Sequence, residues 1–235
     1  MNSETADTFK VWAEDNAAYG PVDLGTVVSW IQDQRVFPNS FVQPQSDKRW
    51  RQARDVEAFR EHFGWPQTGE AEQMKTDTSA VAGDLRELAV FSGISGAGLE
   101  QLAALGEFYQ AAPGAMVVQN GHACDAVYFI LCGELRVRLL VGIVDKADKT
   151  LCKIGGGESF GELGMFLQAK RTADVIAETE SRLFRMTTSA FMLLVRQIPE
   201  LGSPVLFNIG VTMARRMAED NQRFYREVTS QFLWG

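Results

Sequence analysis

The sequence predicts an α+β protein of two units: a small N-terminal domain, then an antiparallel β-barrel or jelly roll with flanking helices and a long C-terminal helix. A chain of 235 residues is comfortable for two domains. Residues 65–82 are polar, rich in small residues and aperiodic, which is typical of a linker. Short apolar segments separated by glycine turns follow that stretch, and these are typical of a barrel.

The N-terminal unit is predicted to span residues 8–58, and the linker residues 59–82. The unit holds three of the five tryptophans of the chain, Trp12, Trp30 and Trp50. The segment from Leu24 to Ile31 is predicted to form a short helix. The second unit is predicted to occupy residues 83–235.

The second unit begins with a helical segment from Leu85 to Leu105, which glycines interrupt. Strand-sized segments follow, separated by turns at Pro113-Gly114, Asn120-Gly121, Cys132-Gly133 and Gly155-Gly156-Gly157. The continuously apolar segment from Val127 to Leu131 predicts a strand buried on both faces. The segment from Leu135 to Leu139 alternates, which predicts a strand with one solvated face.

Two helices are predicted at the C-terminal end. The first runs from Thr188 to Gln197 and stops before Pro199. The second, longer helix is predicted to begin near Ser203-Pro204, because serine caps helices and proline suits the first turn. Its apolar stripe contains one aspartate: Leu206, Ile209, Met213, Met217, Asp220, Phe224 and Val228.

Composition and charge narrow the function. The formal net charge of −7 argues against general nucleic-acid binding, although an acidic protein can still hold one phosphate in a local pocket. No apolar run is long enough to span a bilayer, and the N-terminus lacks the apolar region of a signal peptide, so no membrane association and a cytoplasmic location are predicted.

The few cysteines and histidines predict neither disulfides nor a metal site. Three cysteines, Cys124, Cys132 and Cys152, lie among strand-like residues and are interpreted as free thiols. The two histidines, His62 and His122, are far apart in the sequence. An enzyme of the metal-dependent barrel type would need clustered histidines and carboxylates, so no enzymatic activity is predicted.

The segment from Gly157 to Val175 carries the most specific chemistry. Gly161 allows the backbone to approach a ligand, and Glu162 opens a short helical turn whose N–H groups suit a phosphate. Arg171, just before a strand, offers a fixed fork of donors to an anion. Because a carboxylate would repel a phosphate, Glu162 is expected to face sugar hydroxyls. Together these groups fit a ribose phosphate.

The run FGELGMF followed by KRTADV resembles the phosphate-binding cassette of the cyclic-nucleotide-binding domain family, which includes the bacterial catabolite activator and the protein kinase regulatory subunits. The resemblance covers roughly residues 84–230, and the upstream glycine turns fall in the order of that family. It implies a sensor that binds a cyclic mononucleotide, changes conformation and signals to a protein partner.

The resemblance assigns roles to five cassette residues. It implies that Glu162 accepts from the ribose 2′-OH, and that Gly161 and Leu163 supply backbone contacts at the phosphate turn. It implies that Arg171 pairs with the exocyclic phosphate oxygens. The hydroxyl of Thr172 is expected to bond the phosphate or a guanine amino group, with an ordinary strand threonine as the alternative.

The purine is assigned to the barrel and the long helix. Val137, Leu151 and Cys152 match barrel positions that face the purine. Asp220 and Asn221 match the positions where the bacterial activator has hydroxyl residues that contact adenine; simple solvent exposure is the alternative for both. The expected ligand is cyclic AMP, because bacterial relatives with a hydroxyl after the arginine commonly take it, and cyclic GMP stays open.

The sequence departs from the family pattern in three ways. The loop from Phe166 to Arg171 is short, and Lys170 stands where proline often precedes the arginine. Asp220 and Asn221 replace hydroxyl residues. No helix-turn-helix follows the long helix, so no DNA-binding domain is predicted. The apolar stripe of that helix is interpreted as a packing seam or the seam of a homodimer.

The N-terminal unit resembles the GYF-like domains of bacteria. Trp12, Gly20-Pro21 and Trp30 follow the W…GP…W arrangement of that family, although Arg35-Val36-Phe37 replaces Gly-Tyr-Phe. The resemblance implies an aromatic slot for proline-rich peptides and hence a protein partner. The alternative is that the tryptophans form a domain core.

A second function class is a ligand-free barrel that serves as a scaffold for protein contacts. In that case Glu162 and Arg171 would be a structural ion pair.

Overall fold

The N-terminal unit is an antiparallel sheet that packs against one helix. The computed structural model describes residues 7–33, 35–63, 83–141, 147–167 and 169–233. The sheet has the strand order β2-β1-β3-β4, with β1 at Thr8–Trp12, β2 at Ala18–Asp23, β3 at Phe41–Pro44 and β4 at Arg51–Gln52. Helix α1, Leu24–Gln32, confirms the predicted short helix, and the side chain of Asp23 caps it by accepting from the Thr26 amide at 2.7 Å.

The N-terminal unit continues past residue 58, where its end was predicted. After a 3₁₀ turn at Ala53–Asp55, helix α2 spans Glu57–Arg60 and a second 3₁₀ turn spans Glu61–Phe63. Phe59 is fully buried and packs its ring 4.9 Å from that of Phe9, so hydrophobic burial holds this segment on the sheet. The remainder of the predicted linker, residues 64–82, lies outside the described residues.

The second unit is a barrel of two four-stranded antiparallel sheets, which confirms the predicted jelly-roll-like fold. The sheets have the orders β10-β7-β12-β5 and β6-β11-β8-β9. The strands are β5 Glu107–Ala111, β6 Met116–Val118, β7 Ala126–Cys132, β8 Glu134–Val141, β9 Ala147–Gly155, β10 Ser159–Phe160, β11 Asp174–Ala177 and β12 Ser181–Thr187. As predicted, the apolar centre of β7 is buried throughout, from Val127 to Ile130.

Helices precede the first strand of the barrel, follow its last strand and interrupt it between β10 and β11. A helical turn at residues 83–86, a 3₁₀ turn at Ala89–Phe91 and helix α3 at Gly96–Leu105 precede β5. Helix α4, Glu162–Leu167, lies between β10 and β11. Helix α5, Thr188–Gln197, has the predicted bounds and is capped by Thr187. Among the described helices, none is both long and apolar enough to cross a membrane.

The long helix α6 spans Pro199–Leu233 and begins before the predicted Ser203-Pro204 start. Leu201 and Val205 are buried on either side of Pro204, and this packing keeps the first turns helical although proline cannot donate an amide hydrogen bond. Pro199 therefore takes the first helical position instead.

The two units pack against each other through aromatic side chains of the N-terminal sheet. Trp12, Phe41 and Trp50 belong to the same buried cluster as residues of the helices that flank the barrel. The Trp12 indole donates to the Ser189 hydroxyl at 3.1 Å, and Arg196 donates to the Asn16 carbonyl at 3.0 Å.

This packing bears on the predicted peptide slot. Trp12 and Trp50 are 2% and 5% exposed. In this arrangement they are core residues, as in the alternative interpretation of the sequence, and they do not line an open slot. The third tryptophan, Trp30, is partly buried, with the Arg35 guanidinium 5.3 Å from its ring centroid.

Candidate functional site

The predicted cassette forms a turn between β10 and β11, with Gly161 at its tightest point. Gly161 has a φ of +91°, a conformation that favours glycine. A Cβ at this position would lie 2.4 Å from Nη1 of Arg171 and 3.0 Å from the Ala126 carbonyl oxygen. The glycine is therefore needed both for the backbone conformation and for the close approach of the arginine.

Arg171 is buried and held from several directions. Its backbone N–H donates to the His122 carbonyl at 2.8 Å, and its own carbonyl accepts from the Gly121 amide at 2.8 Å. Its Nη2 donates to the Ala126 carbonyl at 2.7 Å and to Asp125 Oδ1 at 3.2 Å. The guanidinium lies 5.7 Å from the ring centroid of Tyr128, so its direction is fixed.

Glu162 is also buried and is paired with the long helix. Its Oε1 accepts from Nη1 of Arg216 at 2.8 Å, and Nη2 of Arg216 lies 3.3 Å from Oε1 of Glu158. Within the described residues, Glu162 pairs with Arg216 and Arg171 pairs with Asp125, so the direct structural ion pair of the scaffold alternative is not formed.

Each of the two buried charged residues retains one atom without a hydrogen-bond partner. In the described part of the chain, Oε2 of Glu162 and Nη1 of Arg171 are both inaccessible and unbonded. Glu162 is 5% and Arg171 7% exposed. Leaving such atoms unpaired costs about 1–3 kcal/mol each, and more when they are charged. One acceptor and one donor are thus available to a ligand.

Cys124 connects the cassette to the loop before β7. Its thiol donates to the Gly161 carbonyl at 3.3 Å. Burial raises the pKa of the Cys124 thiol, with the positive charge of Arg171 opposing the shift and the negative charge of Glu162 supporting it. The thiol therefore stays protonated at neutral pH and acts as a structural donor between the two charged groups. Cys132 and Cys152 are free thiols as well.

The predicted purine-facing residues lie on the paired strands β8 and β9. Val137 is directly opposite Cys152 and is partly buried, whereas Leu151 and Cys152 are exposed. Partial burial of the Cys152 sulfur raises the pKa of its thiol; Arg216 and Arg223 oppose this shift, and Glu158 and Asp220 add to it. The ion pair of Arg216 with Glu158, which follows β9, brings helix α6 near this end of the barrel.

The remaining predicted residues point largely to solvent. Leu163 is 51% exposed, and Thr172 is exposed. Asp220 has a side chain that is 71% exposed and lies 3.7 Å from Arg223 of its own helix. Asn221 is exposed too. The structure thus brings Gly161, Glu162 and Arg171 together, whereas the four residues named above are exposed at the edge of this group.

The anomaly of an aspartate in an apolar stripe has a simple explanation. Near the beginning of the stripe, Ile209 is inaccessible and Met213 packs on the core. Met217 and Phe224 are 65% and 68% exposed. Asp220 therefore lies on a section of the helix that the barrel does not cover.

Three site residues were not predicted from the sequence: Asp125, Tyr128 and Arg216. Asp125 and Tyr128 orient Arg171 from the start of β7. Arg216 lies one helical turn before Asp220, and its position in the sequence gives no sign of its partner 54 residues earlier. An arginine on a helix that passes a buried carboxylate could be found only once the fold was known.

We predict that Arg216→Ala destabilises the unliganded protein by about 1–3 kcal/mol, because Glu162 would be left as a buried carboxylate without its cation. The loss stays in this range because the arginine side chain is 29% exposed and water partly screens the pair. The adjacent Arg215→Ala is the matched control, because Arg215 is exposed. Urea unfolding of both variants measures the difference, and equal midpoints would contradict a stabilising pair.

Comparison with known proteins agrees with this geometry. Residues 109–197 match the cyclic nucleotide-binding domain family. A cyclic nucleotide-binding domain from Methylobacillus flagellatus superposes with a TM-score of 0.55 at 23% identity, over 64% of this chain and 83% of that structure. The catabolite activator protein of Thermus thermophilus superposes with a TM-score of 0.50 at 21% identity, over 58% of this chain and 61% of that structure. The barrel thus has the fold of that domain.

Two curated relatives share sequence with part of the chain. The Pycsar effector protein XpPycTIR of Xanthomonas perforans is 29% identical over 123 residues, which are 52% of this chain and 37% of the relative. The cyclic AMP receptor protein of Thermus thermophilus is 27% identical over 106 residues, 45% of this chain and 46% of the relative. The aligned region spans less than half the length of each relative.

Proposed function

We propose that this protein is a sensor that binds a cyclic mononucleotide in the barrel, with cyclic AMP as the expected ligand and cyclic GMP as the alternative. The observation that carries the proposal is the pair of buried, unbonded atoms, Oε2 of Glu162 and Nη1 of Arg171. A ligand with a hydroxyl donor and an anionic acceptor would satisfy both, and a ribose cyclic phosphate has these groups side by side.

In this proposal each cassette residue has a distinct task. Nη1 of Arg171 donates to an exocyclic phosphate oxygen while Nη2 keeps its contacts to the barrel. Oε2 of Glu162 accepts from the ribose 2′-OH. Gly161 and Leu163 present backbone groups at the start of α4, where the first amides of a helix lack partners within the helix. The hydroxyl of Thr172 is available at the rim.

The purine is proposed to lie between the barrel and the long helix. Val137, Leu151 and Cys152 provide its apolar surface on β8 and β9. Asp220 and Asn221 would contact the base edge after a shift of α6, since their side chains are solvent-exposed in this arrangement. The name of the cyclic AMP receptor among the relatives supports cyclic AMP.

Signalling is proposed to proceed through the long helix without any chemical step. Arg216 joins α6 to Glu162 and Glu158, so a ligand that engages Glu162 competes with or reorganises this contact. The ligand shifts the position of α6 only by its differential affinity for the two states. The exposed apolar residues of α6 would then meet a second copy of the chain or a protein partner; they are Phe207, Val211, Met217, Phe224 and Tyr225.

A thermal-shift titration with cyclic AMP and cyclic GMP tests the proposal. A ligand of the native state stabilises it by RT ln(1 + [L]/Kd), about 2.7 kcal/mol at a concentration of 100 Kd. We expect saturating stabilisation by one of the two nucleotides, and none by the linear 5′-monophosphate. A flat response to both cyclic nucleotides at millimolar concentration would contradict the proposal and favour the ligand-free scaffold.

A further inference from the structure

A row of alternating charges leads from the phosphate-binding arginine to the N-terminal unit. Nη2 of Arg171 lies 3.2 Å from Oδ1 of Asp125, and Oδ2 of Asp125 lies 2.6 Å from Nη2 of Arg185. Nη1 of Arg185 lies 3.2 Å from Oε2 of Glu107, and Oε1 of Glu107 lies 3.0 Å from Nη2 of Arg54. We call these five residues the charge row.

The members of the row come from separate elements. Asp125 precedes β7, Arg185 is on β12 and Glu107 begins β5, while Arg54 belongs to the 3₁₀ turn after β4 in the N-terminal unit. The side chains of Arg185, Glu107 and Arg54 are 21%, 28% and 26% exposed. The pairs of Glu107 with Arg185 and Arg54 are partly buried and therefore interact more strongly than fully exposed ones, whereas the Asp125 side chain between Arg171 and Arg185 is 60% exposed.

Asp125 is the branching point of the row, because each of its carboxylate oxygens accepts from a different arginine. Partial burial raises the pKa of the Asp125 carboxyl, but Arg185 and Arg171 outweigh that effect and the net pKa is below its ordinary value. The Asp125 side chain is therefore a carboxylate at neutral pH, as its two arginine contacts require.

We infer that the charge row couples ligand binding at Arg171 to the docking of the N-terminal unit on the barrel, with Arg185, Glu107 and Arg54 as positioning residues. The inference rests on the proposed function for the identity of the ligand. It makes the N-terminal unit a module that responds to the nucleotide.

The alternation of charges fixes the sign of the coupling. A phosphate on Arg171 neutralises part of its charge, so Asp125 is held less by Arg171 and interacts more with Arg185. Arg185 then attracts Glu107 less, and Glu107 is freer to bind Arg54. Nucleotide binding is therefore expected to tighten the contact between the two units.

Thermodynamic reciprocity gives the effects on affinity. Without Arg54, Glu107 interacts more strongly with Arg185, so Arg185 interacts less with Asp125. Asp125 then interacts more strongly with Arg171, and Arg171 binds the phosphate more weakly. Without the charge of Glu107, Arg185 interacts more strongly with Asp125, so Asp125 interacts less with Arg171 and Arg171 binds the phosphate more strongly. Arg54→Ala should thus weaken nucleotide binding and Glu107→Gln should strengthen it, each by about three- to tenfold. A purely structural role would weaken binding in both variants.

The test is isothermal titration calorimetry of the full chain with the nucleotide that stabilises it. Arg196→Ala is the matched control, because Arg196 also donates one hydrogen bond between the units and carries one positive charge but lies outside the row. The expected result is opposite changes for Arg54→Ala and Glu107→Gln, with Arg196→Ala within twofold of wild type. Equal effects of Arg54→Ala and Arg196→Ala, or weakening by Glu107→Gln, would overturn the inference.

Hydrogen exchange without nucleotide separates this inference from the proposed function. Asp125→Asn releases Arg185 toward Glu107, so exchange at β1 and β4 should rise at least threefold. Asp84→Asn is the control, because its partner Arg182 is also on β12 but outside the row. Unchanged exchange in Asp125→Asn overturns the coupling even if nucleotides bind. If no nucleotide binds the wild-type protein but exchange at β1 and β4 rises in Asp125→Asn, the proposed function fails and the coupling between the two ends of the row stands.

Discussion

Arg171→Ala is expected to weaken binding of the cyclic nucleotide by about thirtyfold or more. The phosphate would enter a site without the buried guanidinium of Arg171, and truncating one partner of a buried charge pair costs about 2–5 kcal/mol. The side chain is 5% exposed, so water cannot replace the guanidinium efficiently. Isothermal titration calorimetry measures the loss directly.

Two further variants show whether the loss of affinity depends on the charge, on the fork of donors and on the position of the arginine. Arg171→Lys retains the charge but loses the fork of donors, so it should fall between wild type and Arg171→Ala. Arg182→Ala removes another arginine of the barrel, five residues along β12 from Thr187, the residue that pairs with Ala126. At 3.3 Å per residue it lies about 17 Å from that end of the strand and should leave affinity unchanged. A folded Arg171→Ala protein that retains wild-type affinity would remove Arg171 from the binding site.

The sequence predicted those parts of the protein that depend on local pattern. The continuous apolar run from Val127 to Leu131 predicted a buried strand, because its period distinguishes it from a strand with one solvated face. Thr188 to Gln197 was predicted with its observed bounds, with Pro199 as the stop signal, and the structure adds Thr187 as the cap at its beginning. The spacing of Gly161, Glu162 and Arg171 along the chain identified them as candidate site residues, and their role in binding stays a prediction.

The parts that were not predicted depend on contacts between distant residues. The pairing of Arg216 with Glu162 needs the path of α6 across the barrel. The burial of Trp12 and Trp50 needs the docking of the N-terminal unit, which no local pattern encodes. The start of α6 at Pro199 follows from the packing of residues around Pro204, which overrides the local preference for Ser203 as a cap.

The docking of the N-terminal unit gives its buried tryptophans a structural role in place of the peptide-binding role that the resemblance implies. A slot for proline-rich peptides built on Trp12 would need this side chain to be accessible, and it is 2% exposed against the helices that flank the barrel. The resemblance to GYF-like domains therefore stays a prediction. In this arrangement Trp12 and Trp50 join the two units, which is what a unit that responds to the state of the barrel requires.

Gly161→Ala is expected to weaken nucleotide binding at least tenfold and to destabilise the fold. The backbone φ of +91° costs about 1–3 kcal/mol for a residue with a side chain. The new methyl group would also lie 2.4 Å from Nη1 of Arg171, so the guanidinium must move away from the position at which it meets the phosphate. Such overpacking costs about a further 1–3 kcal/mol.

Gly157→Ala separates these two effects, because Gly157 has nearly the same φ, +92°, and no atom of a described residue other than its chain neighbours lies within 4 Å of the added carbon. Both variants should lose stability through backbone strain, as urea unfolding would measure. Only Gly161→Ala should lose affinity in calorimetry, since only its methyl group displaces the arginine. If both variants bound the nucleotide equally well, the close approach of Gly161 to Arg171 would have no part in recognising the phosphate, and the turn would serve the fold alone.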